Sequence, residues 1–159
     1  MKRIRTGRII LNDYPSFLLT IGGPVFLGVG AFVMIFGFIP PTRYGRGGQQ
    51  VDPLFGFWAF ATAAVVASLM LVLLAARLAR MKAILTSGPR ATATVLRIEF
   101  FRDRGRVEYE YVHEGRTIAS GSAIMKNRTT SALSPGDDIE VAIDPARPNR
   151  ALPVQLFEA

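Results

Sequence analysis

The sequence predicts a membrane protein of mixed α and β class, in which a two-helix transmembrane hairpin precedes a small antiparallel β domain of five strands curled into a barrel. Three observations predict this fold. Two apolar blocks, residues 17–39 and 54–76, contain no charged side chain, the composition changes at residue 88, and strand-like alternation follows. Residues 1–87 are therefore assigned to a basic tail and the hairpin, and residues 88–159 to the β domain.

Each apolar block is long enough to cross a bilayer. As a helix, a block of about 23 residues spans about 34 Å, and the hydrocarbon core of a bilayer is about 30 Å thick. A cleaved signal peptide has a shorter apolar run and a cleavage site of small residues. Pro40, Pro41 and a glycine-rich turn follow the first block instead. We therefore predict two retained membrane helices.

Basic residues near the ends of the blocks predict the orientation, because lysine and arginine concentrate in cytoplasmic flanks. The tail carries four of them, the connecting loop two and the segment after the second block four. Both termini are predicted to be cytoplasmic, in a multi-pass protein of the bacterial inner (plasma) membrane. The basic residues after the second block are also candidates for contact with lipid head groups. The three groups are Lys2, Arg3, Arg5 and Arg8; Arg43 and Arg46; and Arg77, Arg80, Lys82 and Arg90.

Small residues recur along each predicted helix. They let helix backbones approach closely in lipid, where little hydrophobic drive acts between helices. Two interpretations are open at this point: the two helices pack on each other, or the small residues form a face for a homo-oligomer or for a partner's helix. The first helix has glycine every seven residues and the second has alanine every four, at Gly23, Gly30, Gly37, Ala59, Ala63 and Ala67.

Alternation of apolar and polar residues between turn residues predicts the five strands. In the first strand, the even-numbered residues from Thr94 to Phe100 are expected to share one face. The apolar residues of the second and fourth strands are expected to face the core: Val107, Tyr109, Tyr111, Ile139, Val141 and Ile143. The predicted strands are residues 91–101, 107–113, 117–125, 139–143 and 151–154.

Two motifs in the β domain resemble a known family. Residues 109–115 have the form Tyr-x-Tyr-x-x-x-Gly, and residues 135–148 begin with Pro-Gly-Asp and end with Asp-Pro-x-x-Pro. Residues 91–152 thereby resemble the bacterial membrane-protein family known as domain of unknown function 3592. The resemblance implies the β fold and no particular activity. Family members often place this domain between helices, whereas both helices precede it here.

The sequence contains no pattern typical of an enzyme. There is no cysteine, and His113 is the single histidine, beside Glu114 but without a cluster of further ligands. Asp144 and Pro145 are interpreted as a rigid turn. Neither apolar block contains the charged groups that ion pathways and proton relays need. We predict no catalytic residue, no cofactor and no metal site.

The predicted function is that of a small membrane accessory or interaction protein, as a subunit or assembly factor of a larger membrane complex or as a homo-oligomer. The alternative is a membrane-tethered binding module that senses a small ligand or a lipid. Arg102, Arg104 and Arg106 lie on one predicted hairpin tip. Because this tip is tethered close to the membrane, anionic lipid is a better match for them than nucleic acid, and no nucleic-acid partner is predicted.

Overall fold

A computed structural model of the chain describes residues 5–39 and 48–157. Contacts divide these residues into two units. One, which we call the β unit, joins the described residues up to Phe17 to those from Ala76 onward. The other, the hairpin unit, is Leu18–Ala75. Four basic residues used above to predict the orientation lie outside the described residues: Lys2, Arg3, Arg43 and Arg46.

The two long apolar helices are present, and a short helix precedes them. The first long helix ends three residues earlier than the predicted limit at residue 39. It stops there because Gly37 has a φ of 60° and donates its N–H to the carbonyl of Val33 at 3.0 Å, which is a common way to end a helix. The helices are α1, Thr6–Asn12; α2, Tyr14–Phe36; and α3, Pro53–Ser87.

Local signals also fix both ends of α3. Pro53 occupies the first position, where its missing N–H costs nothing, and the carboxylate of Asp52 accepts the N–H of Leu54 at 2.7 Å. At the other end, Gly88 follows the helix. A methyl group at Gly88 would lie 2.5 Å from the carbonyl oxygens of Ile84 and Ile143, so only glycine fits there.

The hairpin unit contains most of α2 and α3 together with two short strands. These strands, β1 (Phe38–Ile39) and β2 (Gln49–Gln50), pair antiparallel. Large apolar side chains project outward from both helices. For example, Val65 is 69% exposed and Ile35 is 68% exposed.

The β unit contains a five-stranded antiparallel sheet, as predicted. Its strand order is β5-β4-β3-β6-β7, and the edge strands β5 and β7 come into contact, so the sheet forms a nearly closed, barrel-like structure. A short helix, α4, follows the last strand. The elements are β3, Arg90–Phe101; β4, Arg104–His113; β5, Arg116–Met125; β6, Asp138–Ile143; β7, Ala151–Pro153; and α4, Val154–Phe157.

The prediction that Thr94, Leu96, Ile98 and Phe100 share one face is wrong for the first half of β3. Pairing with β4 shifts after Val95, and Leu96 is the extra residue of a β-bulge. The bulge reverses the alternation. Val95 is therefore buried before it and Ile98 is half-buried after it, whereas Leu96 is 46% exposed.

The barrel core is filled partly by helices. Ile9 of α1, the end of α3 and Phe157 of α4 pack among the buried residues of the strands. Because Met81 and Leu85 belong to this core, the β unit begins within α3 and not at residue 88. The six apolar residues predicted to face the core on the second and fourth strands are all buried, as expected: Val107, Tyr109, Tyr111, Ile139, Val141 and Ile143.

Candidate functional site

A cavity of about 330 Å³ lies in the β unit at the opening of the barrel, and we call it the seam pocket. Among the described residues, no backbone hydrogen bond joins β5 to β7. Residues 120–123 therefore form one wall and residues 151–152 form the facing wall. The residue before α2, the end of α3 and the loop between β6 and β7 supply the charged side chains: Asp13, Arg77, Arg80, Asp144 and Arg150.

Asp13 accepts four hydrogen bonds in this pocket. Arg77 donates two of them, from Nε to Oδ2 and from Nη2 to Oδ1, each at 2.8 Å. Ser16 donates its backbone N–H at 2.9 Å and its hydroxyl at 2.5 Å, so Asp13 also caps the first turn of α2. Three of these bonds end on Oδ2 and one ends on Oδ1, so Arg77 and Ser16 together hold the carboxylate in place. Its side chain is 6% exposed.

Asp144 is the second aspartate of the pocket, and it is paired with Arg80. Its Oδ2 accepts a hydrogen bond from Arg80 Nη2 at 2.5 Å, and its Oδ1 accepts the N–H of Ala146 at 3.0 Å. The bond from Arg80 is the main cause that holds the pKa of Asp144 below its ordinary value, with smaller help from backbone N–H groups. Asp144 is therefore ionised at neutral pH. It also forms the predicted turn, because Arg147 donates its N–H to the carbonyl of Asp144 at 3.0 Å.

Two tyrosines hold the loop and strand on the far side of the pocket. The hydroxyl of Tyr109 donates to the carbonyl of Ala151 at 2.6 Å and lies 3.0 Å from the hydroxyl of Ser122. The hydroxyl of Tyr111 donates to the carbonyl of Pro148 at 2.5 Å. Burial raises the pKa of Tyr109 to about 12 and also raises that of Tyr111. Both are therefore neutral donors at physiological pH.

The four basic residues predicted to contact lipid head groups lie in different surroundings. Arg77 and Arg80 line the seam pocket, where each is paired with an aspartate. Lys82 is exposed on α3. Arg90 donates from Nη2 to the carbonyl of Leu85 at 2.8 Å, and its Nη1 lies 3.6 Å from a carboxylate oxygen of Glu140.

Most of the small residues predicted as a helix-packing or partner face lie between α2 and α3. A methyl group at Gly30 would lie 2.6 Å from the Cβ of Ala63 and 3.4 Å from the carbonyl oxygen of Ala59, and one at Gly23 would lie 3.7 Å from the carbonyl oxygen of Ala67. The small residues thus pack within the hairpin unit.

Gly37 does not belong to this face. It follows α2 in a left-handed conformation, and its carbonyl accepts the N–H of Val51 at 2.9 Å. Its seven-residue spacing from Gly30 therefore reflects the end of the helix and not a helix contact.

Sequence reasoning did not identify Asp13, Arg150 or the serines of β5 as parts of a site. One signal was available for the first of them. Asp13 is the single acidic residue before the first apolar block, and Arg77 is the first charged residue after the second. In an antiparallel hairpin of two similar helices, these two positions lie at the same end. The other residues are placed by strand pairing over long sequence distances, which the sequence does not display.

The acidic cluster of β6 and the arginines of the tip between β3 and β4 lie outside the seam pocket. In residues 5–39 and 48–157, no three side chains of the types His, Cys, Asp or Glu are grouped to hold a metal ion. At the tip between β3 and β4, the guanidinium carbons of Arg102 and Arg104 lie 5.5 and 5.6 Å from the ring centre of Phe101. Arg104 is also 5.7 Å from the ring centre of Tyr14, so this tip contacts the first residue of α2.

Comparison of the chain with family models, with curated proteins and with solved structures finds no match. The resemblance to domain of unknown function 3592 therefore stays a prediction, carried by the motifs at residues 109–115 and 135–148.

Proposed function

We propose that this chain is a small integral membrane protein in which α2 and α3 cross the bilayer as a hairpin. In this proposal it acts as an accessory or interaction subunit of a larger membrane assembly. The β unit lies on the cytoplasmic side of a bacterial inner membrane and makes contacts there. No enzymatic activity is assigned to it.

The exposure of the apolar helix surfaces carries the proposal. The most apolar stretch of each long helix is largely exposed. Only 17% of that stretch is buried within the chain in α2, and only 11% in α3. A core helix of a soluble protein buries its apolar residues, and an exposed apolar surface of this extent needs lipid or a protein partner around it. A bilayer would cover the outward sides of both helices at once, so we propose a membrane as their surrounding.

The proposed orientation rests on the arginine and lysine count around the helices. Arg77 and Arg80 are paired with aspartates, but the bias that orients membrane helices depends on basic residues and little on acidic ones. The pairs therefore leave the prediction of cytoplasmic termini in place. Arg77, Arg80, Lys82 and Arg90 then follow the second span closely in sequence, where contact with lipid head groups is proposed.

Membrane insertion and orientation are tested together by reporter fusion and fractionation. We expect the full chain to stay in the membrane fraction after an alkaline wash and to require detergent for release. A reporter active only outside the cytoplasm should be silent when fused after Ala159 and active when inserted after Gly47, which is the matched control. Release by the wash would contradict insertion. The reverse reporter pattern would contradict the orientation.

The accessory role is tested by purification from the native host in mild detergent, with an untagged strain as the control. We expect a stoichiometric partner, or a defined homo-oligomer, to accompany the protein. A monomer that carries only lipid would contradict this part of the proposal and leave membrane insertion unaffected.

The seam pocket supports a second candidate function, that of a membrane-tethered binding module. The observation that favours it is a cavity of about 330 Å³ with five charged residues in its lining. Pockets that hold small molecules have volumes of about 300–1,000 Å³. The two candidates are compatible, since an interaction subunit can also bind a ligand.

A further inference from the structure

We propose that the seam pocket binds a phosphate ester, held by the guanidinium groups of Arg77, Arg80 and Arg150. This inference goes beyond the accessory role. The phosphate specificity is independent of membrane insertion, whereas the identification of the ester as a lipid depends on it.

The hydrogen-bonding capacity left in the pocket is mainly that of a donor. Asp13 already accepts four hydrogen bonds, and each carboxylate oxygen of Asp144 accepts one. A guanidinium carries about five N–H groups. Arg77 uses two of them on Asp13 and Arg80 uses one on Asp144. Most of the unused hydrogen-bonding groups are therefore guanidinium N–H donors, which suit a ligand with several acceptors.

The charge balance selects an anion among such ligands. Three arginines and two aspartates line the pocket, which leaves one positive charge in excess. Arg150 supplies it, because this side chain forms no ion pair with any residue that the structure describes. Ionised oxygens also form shorter and stronger hydrogen bonds with arginine than neutral oxygens do.

The arrangement of the three arginines favours phosphate over carboxylate. Arg77 and Arg80 lie on α3, whereas Arg150 lies in the loop before β7, so the three arginines belong to different walls of the cavity. A tetrahedral phosphate presents several oxygens in different directions, while a planar carboxylate is satisfied by one guanidinium. The cavity also leaves room for the group that is esterified to the phosphate. Ser120, on the wall of β5, is a hydroxyl partner for this group.

The position of the arginines along the chain suggests the source of the ester. Arg77 directly follows the second apolar block, and Asp13 directly precedes α2. If both helices cross the bilayer, these residues lie at the ends of the spans, where phospholipid head groups are found. An anionic phospholipid is then the nearest abundant phosphate ester, and a soluble phosphate metabolite is the alternative source.

The test uses the full chain in a zwitterionic, phosphate-free detergent. Its melting temperature is titrated with inorganic phosphate and with glycerol phosphate, against chloride at equal ionic strength. We expect both phosphates to raise the melting temperature and chloride not to do so. Arg150→Gln should weaken glycerol phosphate binding by about tenfold or more, the size expected for one charged hydrogen-bonding partner. Arg116→Gln removes the same charge from the exposed hairpin between β4 and β5 and should leave binding unchanged.

The lipid arm repeats the titration with phosphatidylglycerol and with phosphatidylcholine in mixed micelles. Tighter binding of phosphatidylglycerol than of glycerol phosphate, weakened by Arg150→Gln, identifies a lipid ligand. Binding of glycerol phosphate that is no weaker than that of the lipid identifies a soluble one. Equal effects of phosphate and chloride, or equal effects of the two arginine variants, would overturn the phosphate site. Such a failure is separate from that of membrane insertion, because the fractionation experiment reports insertion without any ligand.

Discussion

The hairpin unit and the β unit bury side chains of opposite size. In the hairpin unit, the contact between helices is made by small residues such as Gly30 and Ala63, and large apolar side chains such as Val65 face outward. In the β unit, the large side chains of Tyr109 and Tyr111 lie inside. Burial of large apolar groups stabilises a fold in water, whereas close backbone approach stabilises helices in lipid. The same kind of mutation should therefore affect the two units differently.

The largest effect is expected from truncation of the β core. Tyr109 is 0% exposed and forms a hydrogen bond that links β4 to β7. Tyr109→Ala should lower the free energy of unfolding by about 3–5 kcal/mol, as aromatic deletions in cores do. Thermal unfolding of the full chain in mild detergent measures this. Val112→Ala on the same strand, where Val112 is 63% exposed, should change stability by no more than about 0.5 kcal/mol. If both variants lowered the free energy of unfolding equally, Tyr109 would not be a core residue.

In the hairpin unit, the opposite change should be harmful, namely the enlargement of a small residue. A methyl group at Gly30 would lie 2.6 Å from the Cβ of Ala63 and 3.2 Å from the Cα of Phe60. Gly30→Leu should therefore separate the helices and cost about 1–3 kcal/mol, the usual range for overpacking. Insertion should be unaffected, because leucine is favourable in a bilayer.

Gly28→Leu is the matched control for this experiment. Gly28 lies on the same helix, and a methyl group there meets nothing within 4 Å. The two variants add the same apolar side chain, so a difference in melting temperature reports the helix contact. If Gly28→Leu instead removes a co-purified partner and Gly30→Leu does not, the partner binds the outward face of α2. Identical melting temperatures for both variants would contradict close packing at Gly30.

Helices and strand faces could be predicted from the sequence more accurately than the pairing between strands. The apolar blocks and the alternation at Val107, Tyr109 and Tyr111 are local patterns, and local patterns determine helices and strand faces. The bulge at Leu96 is not local, because it depends on how β3 pairs with β4. The phase of β3 was therefore predicted correctly only after the bulge.

The seam pocket was harder to predict for a related reason. Its two ion pairs, Asp13 with Arg77 and Asp144 with Arg80, each join residues that are 64 positions apart. Neither residue type nor spacing indicates such a pair before the helices and the barrel are placed. The prediction of Arg77 and Arg80 as head-group contacts used their position beside the apolar block, but it lacked the carboxylates that hold them.

Alkaline pH should weaken the β unit selectively. Burial raises the pKa of Tyr109 to about 12, whereas a tyrosine in an unfolded chain ionises near pH ~10. Between these values the unfolded chain has lost a proton that the folded chain keeps, so stability falls as the pH rises. The loss should reach about 1–2 kcal/mol by pH ~11–12. The described residues of the hairpin unit contain no tyrosine.

Melting temperatures between pH ~9 and ~12 test this expectation, with Tyr109→Phe as the comparison. The variant starts at lower stability because it lacks the bond to the carbonyl of Ala151. It should nevertheless lose less stability with rising pH than the wild type does. Parallel curves for the two proteins would show that Tyr109 is not the group responsible.

The smallest effect is expected when acidification protonates Asp144 and removes its ion pair with Arg80 in the seam pocket. Arg80 holds the pKa of Asp144 below its ordinary value, so the pair adds stability above the unfolded pKa of about 4 and loses it as the pH falls through the folded pKa. Arg80 is 44% exposed, and solvent screening limits such a pair to about 1 kcal/mol or less. Asp144→Asn keeps an oxygen for the N–H of Ala146 but has no charge to titrate. The wild type should therefore approach the stability of this variant as the pH falls from about 7 to about 3. A constant difference in melting temperature across this range would mean that Asp144 acts only through its turn. In that case, the charge of Asp144 would add nothing to the stability of the β unit, and its contribution would come from the hydrogen bonds of the turn.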